Sequence, residues 1–202
     1  MDAEALLRSL SLRKGDKAAA ALALRAPTTD GLLLSRPAVL SPSEAAALRR
    51  FVKSRVRGDT VDTVDGEAEH QVNLTRQQLE GVVGAEAVAK LWLLPRALEP
   101  TAPARWLQVR VFCRCYSPTT RRQLPVHTDA SDFTVNVALS DEASCEGGRL
   151  LLLHSGRVNA VTRGEGEATV HRWSLAHGVS AVTAGTRYSL LLFFFHRRLP
   201  DG

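Results

Sequence analysis

The sequence predicts an α+β domain in which helices come first and a double-sheet jelly roll or barrel of short strands follows. Helix-start signals cluster before residue 103, and β-prone alternating segments occupy most of what lies beyond it. Those segments are short and are separated by Gly, Pro, Asp and Ser, the spacing of a jelly roll. A length of 202 residues with 45% apolar content supports one core, with room for a short appendage.

Residues 1–26 read as an N-terminal helical extension, weakly anchored and ending near Pro27. Residues 27–202 form the main domain, with helical support over 27–102 and the strand core over 103–197. Gly31–Leu34 is a short apolar run and a plausible first strand. Ser41, Pro42 and Glu44 combine an N-cap, a proline at the first helical position and a capping-box glutamate. Ala45, Leu48, Val52 and Val56 follow at helical spacing. Thr75 and Gln78 repeat the box ahead of Leu79, Val82 and Val83, and another helix spans Ala85–Leu94, ending before Pro95. Expected strands are Trp106–Tyr116, Phe133–Leu139, Arg149–Leu153, Glu167–Val170, Leu175–Val182 and Arg187–Phe195.

Several classes fall away. The longest apolar run, Leu190–Phe195, is strand-sized, so no membrane span is expected. Asp2 and Glu4 stand where a secretory signal carries positive charge. Arg8 and Arg13 among Leu and Ser would suit a transit peptide, but the acidic residues oppose it. An intracellular protein, cytoplasmic or nuclear, is the expectation. Three cysteines, Cys113, Cys115 and Cys145, argue against a disulfide framework and are too few for a cysteine zinc site. Cys113 and Cys115 alternate onto one strand face, as small buried side chains do. A net charge of +5 permits an acidic partner without demanding one. Arg110, Arg114, Arg121 and Arg122 are grouped, and a solvated rim is their plain reading.

The chemistry begins at His127-Thr128-Asp129. On a strand, residues two apart point the same way, so an imidazole and a carboxylate would converge. That supplies two of the three ligands of the two-histidine, one-carboxylate triad of non-haem iron. Alone the pair is weak, because His and Asp are common on surfaces. His154, His171 and His177 are candidates for the third ligand. His177 is favoured, since it lies in strand-like Leu175–Val179, whereas His154 and His171 read as loop residues. Gly185 makes a turn, and Arg187 opens the next strand. His177 and Arg187 are therefore expected on neighbouring strands of a hairpin, both facing inward. A guanidinium at the mouth of a buried strand needs an anion, and arginine binds a carboxylate bidentately. A salt bridge to a protein carboxylate would satisfy Arg187 equally well.

From Tyr116 to Phe195 the chain resembles the catalytic core of the prolyl 4-hydroxylase-like 2-oxoglutarate oxygenases. The matching segments, in order, are Pro125–Asp129, Thr134–Ser140, Glu146–Leu150, Gly166–Val170, His177–Val179 and Gly185–Leu190. Each motif is soft, while their order and the His177-to-Arg187 interval are specific. The resemblance implies a double-stranded β-helix with Fe(II) held by His127, Asp129 and His177. It implies 2-oxoglutarate chelating that iron, with its far carboxylate on Arg187, and O2 as the oxidant, with ascorbate as an optional further cofactor. A C–H bond would be hydroxylated with release of succinate and CO2, and no catalytic side chain is implied beyond the ligands. Tyr116 matches a tyrosine facing the cosubstrate, although a core tyrosine would look the same in sequence. Asn136 lies on the face that lines the cosubstrate pocket, a face that a solvated sheet would also make polar.

Ser117-Pro118-Thr119-Thr120 lacks the glycine common after that tyrosine, and Gly147-Gly148 is compatible with a plain bend. An arginine anchor and no signal peptide point away from the collagen-modifying branch. The resemblance implies a peptidyl proline or lysine as substrate. The basic loop Arg114–Arg122, just ahead of the first ligand, is expected to border the site and receive an acidic or extended polypeptide. A nucleic-acid demethylase is disfavoured, because no second arginine follows Arg187 before Arg197. The residues are also compatible with a small-molecule oxygenase, or with an inactive binding module on the same fold.

Overall fold

The computed structural model describes residues 33–154 and 157–196. The expected N-terminal extension, residues 1–26, and Arg197 lie outside the described residues. The first strand, β1 (Leu33–Arg36), begins within the apolar run expected to form it. Helix α1 (Pro42–Lys53) starts with the anticipated box. Ser41 Oγ accepts from the Glu44 amide at 3.3 Å and Glu44 Oε2 accepts from the Ser41 amide at 2.6 Å. After β2 (Gln71–Leu74), helix α2 (Arg76–Val83) opens on the Thr75–Gln78 box, and α3 (Ala85–Leu98) follows across Gly84. Helix α3 runs past Pro95, contrary to expectation. The proline forfeits one backbone bond in the last turn, while Leu91, Leu94 and Pro95 all stay buried.

The remaining strands are β3 (Gln108–Tyr116), β4 (Leu124–His127), β5 (Phe133–Ala138), β6 (Cys145–Gly147), β7 (Leu150–His154) and β8 (Arg157–Val161). Then come β9 (Ala168–Arg172), β10 (His177–Val179), β11 (Val182–Gly185) and β12 (Arg187–Phe195). The expected strand Leu175–Val182 is thus broken into separate pieces. Among the described residues a major sheet runs β1-β9-β5-β12-β3-β2, a minor sheet runs β4-β10-β7-β8, and β11 pairs with β6, all antiparallel. Helices over a jelly-roll pair of sheets match the α+β expectation.

Alternation along β12 separates core from site. Leu190, Leu192 and Phe194 turn toward the helices and join Leu48, Leu79, Leu91, Val135 and Val170 in the main core. Phe194 meets Trp92 and Trp106 edge-on at 5.9 and 5.1 Å. Arg187, Ser189, Leu191 and Phe193 turn the other way and line a cavity between the sheets. Cys113 and Cys115 are both buried and unbridged, and burial drives the Cys113 thiol out of its ordinary range. Gly147 and Gly148 both have positive φ, at 75° and 64°, and form the expected bend.

Arg114 and Arg121 are not a solvated rim. Both are buried and paired with the loop before β2. Arg114 lies 2.8 Å from Asp62, and Arg121 lies 2.8 Å from Asp65 and 3.2 Å from Asp62. Arg121 also donates to the Ala68 carbonyl at 3.1 Å. Only Arg110 and Arg122 of the group are exposed.

Candidate metal centre

Strands β4 and β10 pair so that His127 and His177 face each other directly across the ladder. Their rings stand 4.5 Å apart. Asp129 is not on the strand, as the two-residue spacing had suggested. Strand β4 ends at His127, and the carboxylate returns from the loop behind it. Thr134 Oγ1, on β5, donates to Asp129 Oδ2 at 2.5 Å and holds that loop residue in place. His127 Nε2 lies 3.4 Å from Asp129 Oδ1, and His177 Nε2 lies 3.6 Å from Oδ2. One donor atom from each of the three residues falls within 4.8 Å of the others, and all three residues are buried.

The tautomers follow from geometry. His127 Nδ1 is 2.8 Å from the Pro125 carbonyl and His177 Nδ1 is 3.0 Å from that of Leu175. A carbonyl only accepts, so each Nδ1 carries the proton and each Nε2 turns a lone pair toward the carboxylate. Two lone pairs and a carboxylate converging in a buried site repel one another unless a cation stands among them. Ligand atoms about 2.1 Å from one ion stand roughly 3 Å apart at right angles and about 4 Å apart when opposed, close to these separations. The donor set therefore fits a divalent metal of the iron type.

Protonation relieves part of the repulsion in the metal-free protein. Burial lowers the His127 pKa, but the hydrogen bond and charge of Asp129 and the Pro125 carbonyl outweigh it, leaving a net rise. Burial dominates at His177 and pushes it down to about 3, despite the pull of Asp129. Burial raises the Asp129 carboxyl, yet the charges of the surrounding histidines and the His127 hydrogen bond hold it well below the usual carboxylate range.

His171 corrects the sequence reading. It lies inside β9, is fully buried, and places Nε2 3.7 Å from Asp129 Oδ2, with its ring 4.4 Å from that of His177. It stands beside the group that fits one ion, not within it. The alternation of Thr169 and His171 against Ala168 and Val170 is the signal that would have placed it on the inner face. His154 also belongs to a strand, as the last residue of β7.

His177 and Arg187 do not form a hairpin. Strand β11 pairs with β6 between them, so His177 sits on the minor sheet and Arg187 on the major one. Both nonetheless line one narrow cavity with His127, Asp129, Tyr116 and Asn136. Arg187 lies opposite Tyr116 in the β12–β3 ladder, its guanidinium 5.3 Å from the tyrosine ring. Beside His127 and Asp129 lies a groove of about 630 Å³, lined by Arg110, Phe112, Phe193 and Phe195 together with Asp62 and Glu69. Arg121 takes no part in it.

Two sheets enclosing such a cluster, with helices behind the larger sheet, define the fold of the iron(II)- and 2-oxoglutarate-dependent oxygenases in its prolyl 4-hydroxylase-like form. No protein-family model and no curated protein matches the chain. Solved structures do. A prolyl-4-hydroxylase from Pseudomonas putida is 16% identical with TM-score 0.60, over 89% of this chain and 100% of its own. A prolyl hydroxylase from Trichoplax adhaerens, in complex with a hypoxia inducible factor oxygen degradation domain peptide fragment, is 16% identical with TM-score 0.62, over 89% and 91%. The non-heme alpha ketoglutarate dependent carbocyclase SnoK from nogalamycin biosynthesis is 18% identical with TM-score 0.59, over 96% and 85%.

Proposed function

We propose that this protein is an iron(II)- and 2-oxoglutarate-dependent dioxygenase that hydroxylates a peptidyl side chain, prolyl or lysyl. One observation carries the reading: His127, Asp129 and His177 bring three donors within 4.8 Å of one another. Iron(II) bound there with 2-oxoglutarate supplies the coupled reaction in which O2 is split between a hydroxylated C–H bond and succinate, with loss of CO2. His127, Asp129 and His177 would hold the ion and leave it open to the cosubstrate and oxygen. Arg187 would meet the far carboxylate of 2-oxoglutarate, and Tyr116 would wall the same cavity. Leu191 and Phe193 border that cavity and keep water from the reacting carbon.

The groove between Phe112, Phe193, Phe195 and the Asp62–Glu69 loop is open enough for an extended chain, and the Trichoplax structure holds a peptide fragment. An acidic preference loses its support from Arg121, which is committed to Asp62 and Asp65. A small-molecule substrate is the second reading, favoured by the likeness to SnoK. Succinate release with iron(II), 2-oxoglutarate and O2, stimulated by members of a peptide panel and lost in His127→Ala, is the expected result. Stimulation by small hydroxylatable metabolites alone would transfer the assignment to the second reading. No release under any condition would leave an inactive module.

A further inference from the structure

Arg163 lies between β8 and β9 and is only 5% exposed. Its Nη1 donates to the Asn136 backbone carbonyl at 2.9 Å and to Asn136 Oδ1 at 3.0 Å, and stands 3.5 Å from Thr169 Oγ1. Asn136 is itself buried and borders the cavity shared by His127, Asp129, His177 and Arg187. A guanidinium has no acceptor. The oxygen end of the Asn136 amide must therefore face Arg163, and the NH2 end must face away from it. The usual ambiguity of an asparagine amide is removed by its neighbour. No hydrogen bond among the described residues takes up that NH2. Arg163 and Arg187 also border a common recess with Ser140, Gly148 and Leu150.

We propose that Arg163 is a positioning residue that locks the Asn136 amide with its NH2 toward the cavity, where it donates to a 2-oxoglutarate oxygen. The inference rests on the dioxygenase reading and adds to it a specificity element carried by the β8–β9 loop. Asn136 makes the contact and Arg163 fixes its sense. An amide free to turn would present its carbonyl to a dianion in part of the molecules, and ordering it would weaken the binding step.

The test is calorimetric titration of 2-oxoglutarate into the full-length, manganese(II)-loaded protein, with manganese(II) affinity measured separately as a control. Asn136→Asp keeps the shape and an acceptor for Arg163, removes the donor and adds a negative charge, so its loss is read beside that of Asn136→Leu, which removes the donor without adding charge. Asn136→Asp is expected to weaken 2-oxoglutarate binding about tenfold or more, the scale of a lost hydrogen bond to a charged group. Arg163→Met is expected to weaken binding about three- to tenfold, and to cause no further loss in an Asn136→Leu background. Manganese(II) affinity should stay within about twofold in Arg163→Met, as a residue acting through Asn136 requires. Unchanged 2-oxoglutarate affinity in Asn136→Asp overturns the proposal. So does an equal loss from Arg163→Met in both backgrounds, which would make Arg163 a plain source of charge. If Arg163→Met does not fold, Asn136→Asp decides alone. A wild type that binds manganese(II) and 2-oxoglutarate while the variants match it overturns this inference only. A wild type that binds neither overturns the dioxygenase reading as well.

Discussion

At the scale of single residues, the centre is a set of side chains whose second atoms are already committed. His127 and His177 each donate Nδ1–H to a backbone carbonyl, so Nε2 is the remaining atom in both. The consequence for stability has a definite sign. His177 falls from its ordinary 6.5 to about 3 in the folded protein, mainly through burial. Between those values the unfolded chain binds a proton there that the folded chain refuses, so stability drops as pH falls through that window. Asp129, held low, adds a loss in the same direction at lower pH. His127, raised, opposes it with stability that is present below 6.5 and lost as pH rises through the folded value. Urea unfolding of the metal-free protein should show stability falling from about pH 7 to about pH 5, by roughly 1.4 kcal/mol per pH unit for each proton taken up, with His171, also lowered by burial, adding to His177. The fall should shrink in His177→Gln, and an identical fall in that variant would contradict the assignment. Strand-like neighbours favoured His177 among the later histidines, whereas His127 and Arg187 stood out only through the order of motifs in the family resemblance. His171 was hidden because Arg172 and Trp173 beside it read as a loop, although the strand extends through Arg172. Arg163 carries no local signal, since its partners Asn136 and Thr169 come from β5 and β9.

At the scale of elements, the loop that precedes β2 is pinned by charge to Arg114 near the end of β3 and to Arg121 in the β3–β4 connection. Asp62 sits between Arg114 and Arg121, and Arg121 also holds Asp65. Burial works against the Arg114 charge, but Tyr116, Asp62 and Glu69 outweigh it and raise its pKa. Removing one partner of such a buried set leaves the others uncompensated. Arg121→Ala should therefore cost about 3–5 kcal/mol of stability, while exposed Arg122→Ala should stay within about 0.5 kcal/mol. Urea denaturation followed by circular dichroism separates them, and equal effects would contradict the network. At the helix end, Ser41→Ala should cost about 1 kcal/mol by the same measurement, since the Ser41–Glu44 box closes α1. The helices were readable because a cap is local chemistry. Strands β2, β4 and β6 were not anticipated, because each has four residues or fewer and takes its pairing from a distant segment; β8 was missed although it pairs with its neighbour β7.

At the scale of the whole molecule, the core and the site occupy opposite faces of the major sheet. Helices cover one face through Leu190, Leu192 and Phe194, and Arg187 looks out from the other side into the cavity it shares with His127, Asp129 and His177. The double-sheet architecture was legible from strand number and length, whereas the sheet to which each strand belongs was not. That is why the hairpin expected for His177 and Arg187 proved to be two strands of different sheets. A metal held by β4 and β10, with a cosubstrate reaching β12, would tie the sheets together. Manganese(II) and 2-oxoglutarate together should raise the thermal midpoint more than either alone, by the linkage of binding to folding. Asp129→Ala should abolish the shift. The most direct measurement of the central claim is an anaerobic titration of iron(II) and then 2-oxoglutarate, followed by the visible charge-transfer absorption of an α-keto acid chelated to iron. The account predicts a saturable band at one iron per chain in the wild type and none in His127→Ala or His177→Ala. A wild type without the band, or a band that survives loss of either histidine, would contradict it.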